Sequence, residues 1–180
     1  MPQTEARKIL KDAPVLWRRI NSIGMILDCN STYAANLGYA KSEILGRPIF
    51  EHVPKESWQE MNNSLKIWFE TGKVTNQCIT FKRHDGSTFP GLLQATSLYD
   101  ENKHLLGSNT VIFDLSKMTE EKIQQFQEFF KNADSKLKEI KQKDYENLDK
   151  TSKSEYDGLR KMFDVLLEID LKELKNKNQL

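Results

Sequence analysis

Three histidines and two cysteines are the side chains of this sequence best suited to metal or nucleophilic chemistry, and their placement argues against both. Cys29 and Cys78 stand too far apart for a metal knuckle or a disulfide framework, and each reads as a small, buried apolar residue. His52 precedes a helix, while His84 and His104 belong to turns, where an isolated histidine is usually a surface residue. None of the three sits in a recognisable serine or cysteine nucleophile motif. The stretch from Met118 to Leu180 contains no histidine to accept a phosphoryl group, no glycine-rich phosphate loop and no basic recognition helix. The expectation is a chain that is not an enzyme, with no catalytic and no metal-binding residues.

Composition narrows the partners. The 180 residues carry 27 Lys and Arg against 26 Asp and Glu, a net charge of +1, so no global field favours nucleic acid or an anionic membrane. The opening residues MPQTEARKILKDAP lack the apolar core of a signal peptide. No window is long and apolar enough to span a bilayer. A cytoplasmic location is expected, without nucleic acid or membrane as a partner.

The elements that must position any site divide the chain into three parts. Residues 1–12 read as an N-terminal helical cap, ended at Asp12-Ala13-Pro14 because a residue before proline is pushed out of the helical region. Residues 13–116 read as a compact α+β unit. Val15 to Ile20 and Met25 to Cys29 are expected strands around a turn at Asn21 to Gly24. Asn30 and Ser31 can cap a helix that stops at Gly38, and Ser42 can cap a further single turn. Ser57 and Glu60 have the spacing of a capping box for a helix striped by Met61, Leu65, Trp68 and Phe69. Val74 to His84 and Ser87 to Leu98 flank Asp85-Gly86, a tight-hairpin signal, and Leu105 to Leu115 is the last expected strand. Neighbouring hairpins favour an antiparallel sheet with the helices on one face.

Residues 117–180 read as a helical tail. Ile123, Phe126, Phe130, Ala133, Leu137 and Ile140 recur at alternating spacings of three and four, the seam of a coiled coil. The register then meets Asp144, Asn147, Thr151 and Ser154 and fails, and a new phase starts with Tyr156, Leu159, Phe163 and Leu166. Near 147–158 the tail is therefore either hairpinned or one rod with a polar interruption. A homodimer is the economical way to cover this seam; the alternative is that the helix folds back onto its own sheet.

The segments DCNSTYAANLGYAKSEILGRPIFEHVP, FKRHDGSTFP and VIFDLS, in this order, resemble the PAS family of sensory domains. Asp28 and Asn30 match its Asp-x-Asn pattern, Leu37-Gly38-Tyr39 its helix end, and Glu43 to Gly46 its Glu-x-x-Gly turn. Arg83-His84-Asp85-Gly86 match its hairpin. The resemblance implies a five-stranded antiparallel sheet cupping a small cavity beside a long helix. It also implies that strain passes to a C-terminal helix through an Asp-x-Thr exit, here Asp114-Leu115-Ser116. Short side-chain oxygens at that point can satisfy free backbone donors, which makes Asp114 and Ser116 the expected coupling junction.

Cofactor readings follow from the same resemblance. Flavin-binding members carry a reactive cysteine in an Asn-Cys-Arg-Phe-like motif that is missing here, and haem-binding members place a histidine on the long helix, where this chain has Asn62 and Asn63. Both cofactors are disfavoured and the cofactor stays unknown. A small apolar metabolite lined by Met61, Leu65, Phe69, Phe81, Leu93 and Ile112 is one expectation; the plain alternative is that all six are core. The expected function is a sensory or regulatory module in signal transduction. It is expected to bind a small molecule and signal to a downstream protein through a dimeric coiled coil. The alternatives are a ligand-free interaction adaptor, or the sensor part of a longer histidine kinase or transcription regulator.

Overall fold

The computed structural model describes residues 5–178; residues 1–4 of the expected cap and the last two of the tail lie outside them. Helix α1 (Glu5–Lys11) leads into strands β1 (Leu16–Asn21) and β2 (Ile26–Cys29). Three helices follow, α2 (Ser31–Leu37), α3 (Lys41–Ile44) and α4 (Trp58–Thr71), and then strands β3 (Lys73–Lys82), β4 (Thr88–Tyr99) and β5 (Leu105–Asp114). The five strands form one sheet in the order β2-β1-β5-β4-β3, every neighbouring pair antiparallel.

Local chemistry explains most of the boundaries. Asn30 caps α2 by accepting from the Tyr33 amide at 3.0 Å, and Gly38 ends it with φ of 77°, a conformation that glycine adopts without a Cβ penalty. Two expected caps are corrected. Ser57 makes no side-chain cap and lies in a 3₁₀ turn before α4. The turn at α3 starts at Ala40, whose amide is held by the Glu43 carboxylate at 2.8 Å rather than by Ser42. The β3–β4 loop closes through Arg83 and Ser87 with only Gly86 at positive φ, so it is a three-residue hairpin rather than a two-residue one.

The period-two alternation of the central strands sends residues to two cores. Leu16, Ile20, Leu93, Ala95 and Ile112 point to the inner face, where α2, α3 and α4 pack. Trp17, Leu92, Val111 and Phe113 point to the outer face. Burial on both faces accounts for the nearly unbroken run of buried residues along β4 and β5.

What covers the outer face is the tail. Helix α5 (Glu120–Lys138), capped by Thr119, turns through α6 (Gln142–Glu146) into α7 (Lys150–Leu167), capped by Asp149, and then α8 (Leu171–Asn178). The reversal spans 139–149, so it starts earlier than the 147–158 break read from the heptads, and Tyr156 and Gly158 lie inside α7. Ile123, Phe126, Phe130, Ala133 and Leu137 are buried against the sheet and α7 of the same chain, and Ile140 is half-buried. Burying one such large side chain contributes roughly 1.5–3 kcal/mol relative to leaving it in water. A heptad stripe specifies only that it must be covered. The sheet's outer face, itself apolar, supplies that cover here, so the expected seam is closed within the chain.

Candidate functional site

The inner face holds a small, partly open cavity of about 20 Å³, lined from β1, β3, β4, β5, α4 and the turn at Ile49. Met61, Leu65 and Leu93 line it as the sequence suggests. Phe81 and Ile112 belong to the same buried cluster without lining it, and Phe69 is 55 % exposed on the opposite side of α4. Of the expected α4 stripe, Met61, Leu65 and Trp68 face inward and Phe69 does not; Trp68 donates its indole N–H to Ser97 Oγ at 2.8 Å.

The polar side of this cavity was not legible from motifs. Arg18 on β1 points inward among Leu16 and Ile20 and is 1 % exposed. Its Nη1 donates to the Tyr33 hydroxyl at 3.2 Å, and its guanidinium lies 5.9 and 5.8 Å from the ring centres of Tyr33 and Phe81. Its Nε has no hydrogen-bond partner among the described residues. Ser108 and Thr110, its cross-strand neighbours on β5, and Ser64 on α4 line the same cavity.

Tyr33 in turn lies 2.7 Å from Nδ1 of His52, which is buried at 1 % exposure rather than on the surface as its turn position suggested. Burial, and then the positive charges of Arg18 and Lys82, push the His52 imidazole down to about 4. With its proton on Nε2, a neutral His52 can accept a hydrogen bond from the Tyr33 hydroxyl at Nδ1, and the phenol oxygen then accepts from Arg18. Burial pushes the Tyr33 phenol up. His84 and His104 are exposed, as turn histidines usually are.

The expected coupling pair does come together, and with additional residues. Asp114 Oδ1 accepts from the amide and the hydroxyl of Ser116, and Oδ2 accepts from Arg83 Nη2 at 2.8 Å and Asn36 Nδ2 at 3.2 Å. One carboxylate therefore ties the end of β5 to the hairpin, to α2 and to the entrance of the tail. Beside it an open groove of about 500 Å³ runs between α2 and the start of α5, walled by Thr32, Asn36, Asp114, Lys117 and Phe126.

A second polar cluster joins sheet and tail. Arg19 Nη1 donates to Glu155 Oε1 of α7 at 3.0 Å, and Arg19 Nε and Trp17 Nε1 both donate to Asn109 Oδ1. Gly158 sits over this cluster: a Cβ there would lie 2.6 Å from Leu98 Cδ1 and 3.3 Å from Asn109 Nδ2. The missing side chain is what lets α7 lie close on β4 and β5. Asp28, of the Asp-x-Asn pair, pairs with Arg7 of α1 and with Lys41, each at 2.7 Å. Burial opposes its ionisation, but the hydrogen bonds from Lys41 and Arg7 outweigh it and hold the carboxyl below its ordinary value.

Cys29 is buried while Cys78 is exposed on the edge strand β3, so only the first behaves as the apolar residue expected of both. No group of histidine, cysteine and carboxylate side chains among the described residues is arranged to hold a metal ion. No described helix is long and apolar enough to cross a membrane.

Similarity to known proteins agrees with this architecture. Among solved structures, a PAS domain from Colwellia psychrerythraea is 20 % identical with a TM-score of 0.57, covering 62 % of this chain and 94 % of its own. The PAS domain of a LuxR-family transcriptional regulator from Burkholderia thailandensis, solved with ethanol, is 21 % identical with a TM-score of 0.52 over 61 % of this chain and 96 % of its own. A light-oxygen-voltage domain is 24 % identical with a TM-score of 0.54 over 72 % and 94 %. No curated protein matches the chain. The family model described as PAS domain matches residues 13–117, more than half of the sequence, and the chain belongs to the PAS domain family.

Proposed function

We propose that this chain is a regulatory PAS module whose docked tail is its output element. PAS domains are sensory modules in signal transduction, including those of transcriptional regulators. The observation that carries the reading is the dual fitness of the α5 seam. Ile123, Phe126, Phe130, Ala133 and Leu137 have coiled-coil spacing, yet they are buried on the chain's own sheet. In the docked state the stripe is closed; released, it is a surface for a second copy of the chain. The inner cavity and the tail contact opposite faces of β1, β4 and β5, so a change in strand position on one face alters the packing on the other. Two packings of one interface with different ligand affinity are all that such a switch requires. No catalytic step is assigned to the chain, and a cytoplasmic location, a homodimer in the released state and a downstream protein partner complete the proposal.

The test is Gly158→Leu, which wedges α7 away from Leu98 and Asn109 without altering the α5 seam. Amide exchange should show faster exchange in α5 and α7, and sedimentation equilibrium should show a dimer at concentrations where the parent is a monomer. A released tail that stays monomeric overturns the dimer output. The plain adaptor reading gains support if the parent is already a dimer and release changes nothing.

A further inference from the structure

Arg18 is a buried cation without an anion. Removing a guanidinium from water is costly unless a charge and hydrogen bonds replace the solvent. Arg18 has one hydroxyl acceptor and two aromatic faces near the outer limit of cation–π contact. No described carboxylate pairs with it, although its neighbour Arg19, one residue on and facing the other side of the sheet, has Glu155. The unsatisfied Nε belongs to a side chain that is part of the cavity wall.

The lining fixes the class of ligand. No aspartate or glutamate lines the cavity, and Arg18 is its single cation, so one negative charge is balanced and a second is not. Ser64 and the Ser108–Thr110 hydroxyl pair, 3.4 Å apart, line the cavity with Arg18, while Ile20, Met61, Leu65, Trp68 and Leu93 present apolar surface. About 20 Å³ suits one small polar group, since a single water needs roughly 10–15 Å³ by the same kind of measure. Leu65 is half-buried at the rim, and Met61 behind it is unbranched and readily repacked, so a short alkyl group has room to displace them.

We propose that this cavity binds a short-chain monocarboxylate, its carboxylate on Arg18 and its alkyl group against Met61 and Leu65. The ligand supplies the counter-charge that the fold leaves out. This deepens the sensory reading above and rests on it, but the two fail separately, because release of the tail by Gly158→Leu involves no ligand.

Acetate and acetamide separate charge from shape, being nearly the same size with and without the negative charge. Both are titrated into the full chain, along with sodium chloride, and the Trp68 indole N–H resonance is followed by NMR. Trp17 and Trp58, which do not line the cavity, serve as internal references. Saturable acetate shifts at Trp68, with acetamide at least about tenfold weaker, are expected from the loss of a charge-assisted hydrogen bond. Arg18→Met, which keeps the length of the side chain and removes the charge, should abolish the acetate response. The proposal is overturned if acetamide binds as well as acetate, if Arg18→Met responds like the parent, or if acetate leaves Trp68 unmoved. Chloride binding as tightly as acetate overturns the carboxylate assignment in favour of an inorganic anion. The comparison of acetate with acetamide on the parent chain decides the matter even if Arg18→Met does not fold.

Discussion

Arg19 on β1 and Glu155 on α7 meet at 3.0 Å between sheet and tail, 136 residues apart in sequence and both largely shielded from water. Burial pushes the Arg19 guanidinium down from its ordinary value, and Glu155 opposes that shift. A pair in this setting contributes less by attraction than by what its loss would expose, because the surviving charge stays buried.

Glu155→Ala is therefore expected to destabilise the folded chain by about 3–5 kcal/mol, the range for breaking one side of a buried pair. Arg19→Met combined with Glu155→Leu should cost distinctly less, since neither charge is then left alone. Urea unfolding midpoints of the three proteins check the order. If the single and double variants unfold alike, the pair does not hold the tail.

His52 sets the acid sensitivity. Its folded value of about 4 lies below the ordinary 6.5, so on acidification the unfolded chain takes up the proton first. Stability attached to the neutral imidazole is thus fully present above about pH 6.5 and is lost as the pH falls from there to about 4, up to roughly 3 kcal/mol. Most carboxylates titrate lower, so the upper part of this window belongs to His52. Denaturation midpoints at pH 7 and pH 5 should differ for the parent and converge for His52→Gln; equal slopes in both proteins would place the sensitivity elsewhere.

The two thiols should separate cleanly. Cys29 is 1 % exposed and its thiol is pushed up to about 11, mainly by burial; partial burial also pushes the Cys78 thiol up, but Cys78 lies exposed on the edge strand, where a reagent can reach it. Thiolate is the reactive form, so an aromatic disulfide reagent at pH 8 is expected to modify one cysteine rapidly. Cys78→Ser should remove that fast phase and leave a slow one that appears only with denaturant. A fast phase surviving in Cys78→Ser would mean that β2 opens readily.

These residues also mark how far a sequence can be read. Alternation and turn chemistry are local, and they placed the five strands and the helix from Ser31 to Leu37. Heptad spacing showed that Phe126, Phe130 and Leu137 need an apolar cover, but covering is a tertiary property, and spacing does not say whether the cover is the chain's own sheet or a second chain. His52 looked like a surface residue because its burial depends on Tyr33 and Arg18, which arrive from separate elements. Arg18 itself carries no motif. Its neighbour Arg19 has the same chemistry, and only the parity of β1 decides which of the two faces the cavity.

Asp114 is where the cavity's sheet becomes the tail. Its side chain is 4 % exposed and accepts from Arg83, Asn36 and Ser116. In Asp114→Ala the Arg83 guanidinium and the Ser116 amide lose their acceptor together, and a hydrogen bond to a charged group contributes about 1.5–3 kcal/mol. Arg83 keeps its place over the Phe89 ring, 4.4 Å from the centroid, and its bond to the Asn36 carbonyl, so the hairpin should persist and the fold with it. The expected result is a loss of about 2 kcal/mol in overall stability, at the lower end because Arg83 is partly exposed and can recruit water. The more telling result is local: amide exchange should accelerate from Leu115 to Ile123 well beyond that global change, while β4 amides follow it. Ser116→Ala, which leaves the Arg83–Asp114 pair in place, should loosen the same segment less. Uniform acceleration along the chain would make Asp114 an ordinary stabilising residue and not the hinge on which the tail is held.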